Sequence, residues 1–108
     1  MLLFGVAKPN DDLKQFALLV HNSCKELPIL MQQFYAPHRA HQVITRIHGI
    51  EREADYVHNL AMASLFANKR DARELVIFKD LYDLLEEIVD NTEYIARVIE
   101  NLVAKEHR

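Results

Sequence analysis

Between Ile77 and Leu102 the apolar residues recur every seven positions. Ile77, Leu84, Asn91 and Val98 form one series, and Leu81, Ile88, Ile95 and Leu102 form a second. A seam of that period, kept over almost four repeats, predicts one long helix packed lengthwise against other helices. Asn91 is its single polar break, and a buried Asn in such a seam fixes register or partner choice. Two glycines and three prolines in 108 residues leave few places to break the rest of the chain. The remaining elements must therefore also be few, long and helical. No alternation of apolar and polar residues supports a strand.

Met1–Ala7 has neither a cap nor a period and reads as an apolar lead-in that packs on something outside the chain. Asn10, Asp11 and Asp12 after Pro9 signal a helix start. From there Leu13, Phe16, Val20, Cys24, Leu27, Met31 and Phe34 step by three or four, which predicts a first helix over about 11–35. Pro28 lies inside it and is expected to kink or split it near Glu26. Ala36-Pro37-His38 breaks the pattern, and a second helix is expected over 39–67. Its apolar stripe is Ile47, Ile50, Ala54, Val57 and Ala61. Asn68 suits a left-handed cap at its end. Asp71 and Glu74 have capping-box spacing, which opens a third helix over 71–105. The expected fold is all-α: one domain over 1–108, an up-down-up bundle of three long helices.

The net charge of −3 and the scatter of basic residues give no reason to expect a nucleic-acid partner. Cys24 is the one cysteine, so no internal disulfide can form and a reducing, cytoplasmic setting is the default. Its place on the apolar series predicts a small core residue rather than a nucleophile. No Gly-rich phosphate loop, Cys-His arrangement or elbow-type Ser supports nucleophilic catalysis.

The acidic residues carry the chemistry. Glu51 and Asp55 lie one helical turn apart, so their carboxylates stack on one face and repel. A cation between them removes that repulsion. On the third helix Asp83, Glu86, Asp90 and Glu93 fall on one strip, roughly opposite the apolar seam. The two helices run antiparallel across the turn at Asn68–Arg70. Glu51 and Asp55 precede that turn by about 19 and 15 residues, and Glu86 and Asp90 follow it by about 17 and 21. At about 1.5 Å per residue the two pairs are level to within roughly one turn. The spacing thus allows four carboxylates to meet along the groove between the helices, outside the core. Such oxygen ligands with histidines nearby suit iron, manganese or zinc more than calcium. The bland alternative is a solvated face with ion pairs to Arg52, Lys79 and Arg97. His48 and His58 border the groove without being required as ligands.

At Ile50-Glu-Arg-Glu-Ala-Asp55 and Leu85-Glu-Glu-Ile-Val-Asp90 the chain resembles the PhoU-like family, closest to the branch associated with Pit-type phosphate transporters. That family is built from three-helix bundles with a Glu/Asp-x-x-x-Asp motif on two helices of each. The resemblance implies metal ligands at Glu51, Asp55, Glu86 and Asp90, with Asp83 and Glu93 matching acidic positions around the second motif. The metal-site residues expected are Glu51, Asp55, Asp83, Glu86 and Asp90. The ions expected are divalent or trivalent, iron or zinc before manganese. Members of this branch typically have about twice this length and two bundles, so the chain looks like the second bundle alone. That suggests pairing with itself to cover the lead-in and the flank of the first helix.

The function so implied is a non-enzymatic, metal-binding accessory or regulatory protein of phosphate transport. It would dock on a transporter or signalling partner, as a homo-oligomer, and meet the membrane only through that partner. Two alternatives stand beside it. One is an all-α, magnesium-dependent nucleotide pyrophosphohydrolase, suggested by Glu86-Glu-x-x-Asp90 but without its downstream partner motif. The other is a plain helical oligomerisation module in which the acids are only solvated.

Overall fold

In the computed structural model, residues 11–67 and 71–106 are described. They form α1 (Asp11–Gln32), α2 (Pro37–Ala67) and α3 (Ala72–Glu106), and no strand occurs among them. All three helices pack pairwise into an antiparallel up-down-up bundle, as the sequence predicts. The bundle is a rod of 56 × 21 × 16 Å. The lead-in Met1–Ala7, the Asn10 start signal and the Asn68 cap lie outside the described residues.

The helix boundaries follow from local chemistry. Pro37 opens α2 from inside its first turn, where the missing N–H has no intrahelical partner to lose. The Ala36 carbonyl accepts the first bond of that helix, from the Ala40 N–H at 2.9 Å. Asp71 caps α3: its Oδ1 accepts the Glu74 backbone N–H at 2.8 Å. α1 ends three residues earlier than the apolar series implies, in a turn over 33–35. The expected split at Pro28 does not occur, and α1 runs unbroken through it. Pro28 is exposed, and so is Cys24, whose carbonyl loses its bond to the missing N–H. Water can satisfy that carbonyl, so the helix continues.

The core lies one residue away from the seam read in the sequence. On α3 the buried positions are Phe78, Tyr82, Val89, Thr92, Glu93, Ala96, Ile99 and Val103. All but Glu93, with half-buried Leu85, form their own heptad series, rotated by one step of about 100° from the expected one. Leu84, Ile95, Val98 and Leu102 of the expected seam are 40–55% exposed, and Asn91 is exposed rather than buried. α1 is offset by one step in the opposite sense: it buries Phe16 of the expected series with Leu19, Ser23 and Leu30, while Leu13, Val20, Leu27 and Phe34 pack half-buried against the core and Met31 is exposed. Cys24 is therefore a surface residue, not a core one. The stripe expected on α2 holds, with Ile47, Ala54, Val57 and Ala61 buried and Ile50 half-buried.

The core has two apolar blocks. One gathers Phe16, Leu19, Val57, Phe78 and Tyr82 near the α2–α3 turn. The other gathers Leu30, Ile44, Ile47, Ile99 and Val103 near the α1–α2 turn. Each such side chain contributes about 1.5–3 kcal/mol on burial. Between the blocks lie the buried polar residues Ser23, Thr92 and Glu93. The Thr92 hydroxyl donates to the Ile88 carbonyl at 3.0 Å. The Ser23 hydroxyl is buried without a partner. This polar layer is level with the acidic groove.

Candidate metal site

Helix geometry brings the two acidic motifs together. Glu51 and Asp55 from α2 and Asp90 from α3 each present an oxygen within 4.8 Å of the others. Glu86 joins them through a hydrogen bond with Asp55. Three of the four carboxyls that the spacing allows to meet along the groove therefore converge, and Glu86 adjoins them through Asp55. None is fully buried: Glu51, Asp55 and Glu86 are half-buried and Asp90 is exposed. They flank the core rather than standing opposite it, because the core seam of α3 lies next to their row.

The charges in this cluster are not independent. Burial, followed by the hydrogen bond and charge of Asp55, pushes Glu86 up to about 8. The same causes push Glu51 up to about 7, with Glu93 and Asp90 adding to them. Asp55 moves the other way: the hydrogen bond from Glu86, and then that from Glu51, hold it below the usual carboxylate range against the effect of burial. Asp90 is raised by burial and by the charges of Asp55 and Glu93. Asp55 thus keeps its charge between two carboxyls that resist ionisation, and a cation would favour the ionised form of all of them.

One atom shows what the cluster lacks within the protein. Glu86 Oε2 is buried without a hydrogen-bond partner. An orphaned acceptor in a pocket of surplus negative charge is costly, and a bound cation would satisfy it. The all-carboxylate donor set fits a hard or borderline ion. Asp83 stands outside the group. Its oxygens take His58 Nε2 at 2.9 Å and Lys79 Nζ at 2.7 Å. Lys79 first, and His58 after it, hold its carboxyl below the usual range. Phe16 sets the His58 ring in place with an edge-on contact, centroids 6.3 Å apart.

Glu93 is the site residue that spacing alone undervalues. It is 6% exposed, is paired with Arg97, and lies 3.8 Å from His48 Nδ1. With Glu51, Asp90, Tyr94 and Arg97 it lines a recess of about 140 Å³ at the upper end of the cluster. Its signal was its position, seven residues after Glu86 and three after Asp90, on the same row. Of the ion pairs expected to solvate this face, those of Lys79 and Arg97 form.

The chain is similar to UPF0111 protein YkaA of Bacillus subtilis, at 23% identity over 108 residues. The match covers 97% of this chain and 52% of that protein, so the chain spans about half the length of its curated relative. No protein-family model matches the chain, and no solved structure matches it either. Among the described residues, no helix is long and apolar enough to cross a membrane.

Proposed function

We propose that this chain is a PhoU-like metal-binding bundle that serves phosphate transport as an accessory or regulatory protein. Glu51, Asp55, Glu86 and Asp90 would hold the metal, iron or zinc before manganese. The observation that carries the reading is their convergence from two helices, with the buried oxygen of Glu86 left unpartnered. The resemblance of both acidic motifs to the PhoU-like family supports it, as does the similarity to a protein of about twice the length.

A metal here would supply a fixed positive charge at the surface. The protein's part is to hold that charge in a rigid groove and offer it to a partner or to the anion that partner carries. The partner in this reading is a phosphate transporter or its signalling protein, met from the cytoplasmic side. No catalytic step is included. Lys79 and Arg97, the cations along the strip, are tied to Asp83 and Glu93. That favours docking over hydrolysis of a phosphoanhydride, which needs free cations on the phosphates.

Elemental analysis of the purified protein tests the metal, with Glu51→Ala/Asp90→Ala beside it. The expected result is a stoichiometric transition metal in the parent and at least a tenfold loss in the variant. Equal metal in both, or none after purification and reconstitution, would overturn the reading. Titration of the loaded protein with inorganic phosphate then tests the anion. Saturable binding that disappears with the metal is expected, and binding that ignores the metal counts against the docking mechanism.

A further inference from the structure

A cleft of about 430 Å³ runs between α1 and α2, on the flank of α2 away from the acidic groove. Asn22, Lys25 and Glu26 form its α1 wall, and Arg46 and Glu53 stand on its α2 wall. Gly49 and Ile50 line it between them. The proposed function uses none of these residues. Two of them are set in ways that the fold of the chain does not require.

The first is Gly49. It stands in the interior of α2, where glycine is the poorest helix former after proline. A Cβ added there would meet no atom within 4 Å, and its backbone is not in the left-handed region. Neither packing nor a turn therefore calls for a glycine. Bare helix backbone beside an open cleft suits the close approach of a molecule from outside. The second is Arg46. Its Nε donates to both carboxylate oxygens of Glu26, at 3.0 and 3.1 Å, and the Glu26 side chain is 12% exposed. That carboxylate fixes the guanidinium by one edge. The Nη groups have no partner among the described residues, on a side chain that is 52% exposed. A guanidinium held in this way keeps a planar fork of donors ready for the oxygens of one anion.

We propose that this cleft binds a small organic anion, with one carboxylate or phosphate head and an apolar body. The Arg46 fork and the Lys25 ammonium, from opposite walls, hold the head. The body lies over Gly49 and against the half-buried Ile50. Glu26 does not repel the head, because Arg46 already meets its charge. Glu53 lies seven residues from Arg46, about 10 Å along α2, and opposes a second anionic group at that end. The ligand therefore carries its charge at one end only. The cleft and the acidic groove lie on opposite flanks of α2, so this site stands or falls independently of the metal.

Two-dimensional NMR of the full chain in chelator tests the inference, with N-acetylleucine and phenyl phosphate as probes of the two heads. At least one should give saturable shifts at the amides of Asn22, Lys25 and Gly49. A Kd of about 1 mM or tighter is expected of a ligand with about a dozen non-hydrogen atoms. Inorganic phosphate, a head without a body, should bind about tenfold more weakly than phenyl phosphate if the phosphate head is the one held. Gly49→Leu should melt about 4 °C higher or more, since leucine is the better helix former and has room, yet weaken binding at least tenfold. Arg46→Lys keeps a cation for Glu26 but loses the fork, and should weaken binding about tenfold. It decides the matter even if Gly49→Leu disturbs the helix. No saturable shift with either probe would overturn the inference. So would shifts confined to other faces, or binding unchanged in a folded Gly49→Leu or in Arg46→Lys.

Discussion

Glu86 keeps its proton to about pH 8 because burial and the Asp55 carboxylate both oppose its charge. Glu51 does so to about pH 7 for the same reasons. Both folded values lie above the ordinary 4.5. The native state therefore holds more protons than the unfolded chain between those limits. Its extra stability is complete below about pH 4.5 and is lost as pH rises through 7 and 8. Asp55 and Asp83 act oppositely: their depressed values add stability that is lost only as pH falls below the ordinary 3.8. Metal-free protein should thus melt at least about 5 °C lower at pH 8 than at pH 5. Glu86→Gln, which keeps the hydrogen bond without the charge, should flatten that slope. A thermal scan of both proteins across pH 4–9 in chelator checks this. A parent that gains stability towards pH 8 would refute the coupling among the four carboxyls. At this scale the sequence was legible in part. Four-residue spacing and helix heights placed Glu51, Asp55, Glu86 and Asp90 together. The Lys79–Asp83 pair, one helical turn apart, was legible too; the reach of His58 to Asp83 and the burial of Glu93 depend on the rotation of α3 about its axis, which spacing does not fix.

That rotation is the lesson at the scale of the element. α3 carries three neighbouring heptad rows: an apolar one from Ile77, a mixed one from Phe78, and a charged one from Lys79 through Asp83, Glu86, Asp90 and Glu93. The first is the most hydrophobic and looks like the core. The structure buries the middle row, including Ala96 and Thr92, because only that row can face α1 and α2 while its neighbours flank it on either side. Helix number, order and approximate length were legible because breakers and the Asp71 cap set them. The facing row was not, because two apolar rows competed. Ala96→Leu discriminates between them. Ala96 is fully buried, so the larger side chain should overpack it and cost about 1–3 kcal/mol in urea unfolding. Were Ile95 the core position, the change would be nearly neutral. Pro28 gives the converse case. It is exposed inside α1 and removes a bond from the helix. Pro28→Ala should stabilise the fold by about 1–2 kcal/mol, since the helix gains more than the unfolded chain regains in freedom.

The molecule as a whole is a thin rod whose apolar core is interrupted near its middle. Ser23, Thr92 and Glu93 separate the two blocks, and the acidic cluster lies beside that waist. Few apolar contacts cross the waist, while α2 and α3 repel through Glu51, Asp55 and Asp90 as the cluster loses its protons. Local opening should therefore need least free energy there. A cation held by both helices would bind only the closed form and stabilise it by about 2.7 kcal/mol at a concentration one hundred times its dissociation constant. Most of that gain belongs to the segments it ties together. Amide hydrogen exchange at pH 8 should show residues 48–55 and 86–93 as the fastest helical segments away from the ends when a chelator is present. Added zinc or iron should slow those two segments at least tenfold, while protection around Ile44 and Val103 changes little. Glu51→Ala/Asp90→Ala should abolish the difference between the two conditions. Uniform slowing along all three helices would mean that the ion acts on global stability alone, and that the waist is no weaker than the blocks it joins.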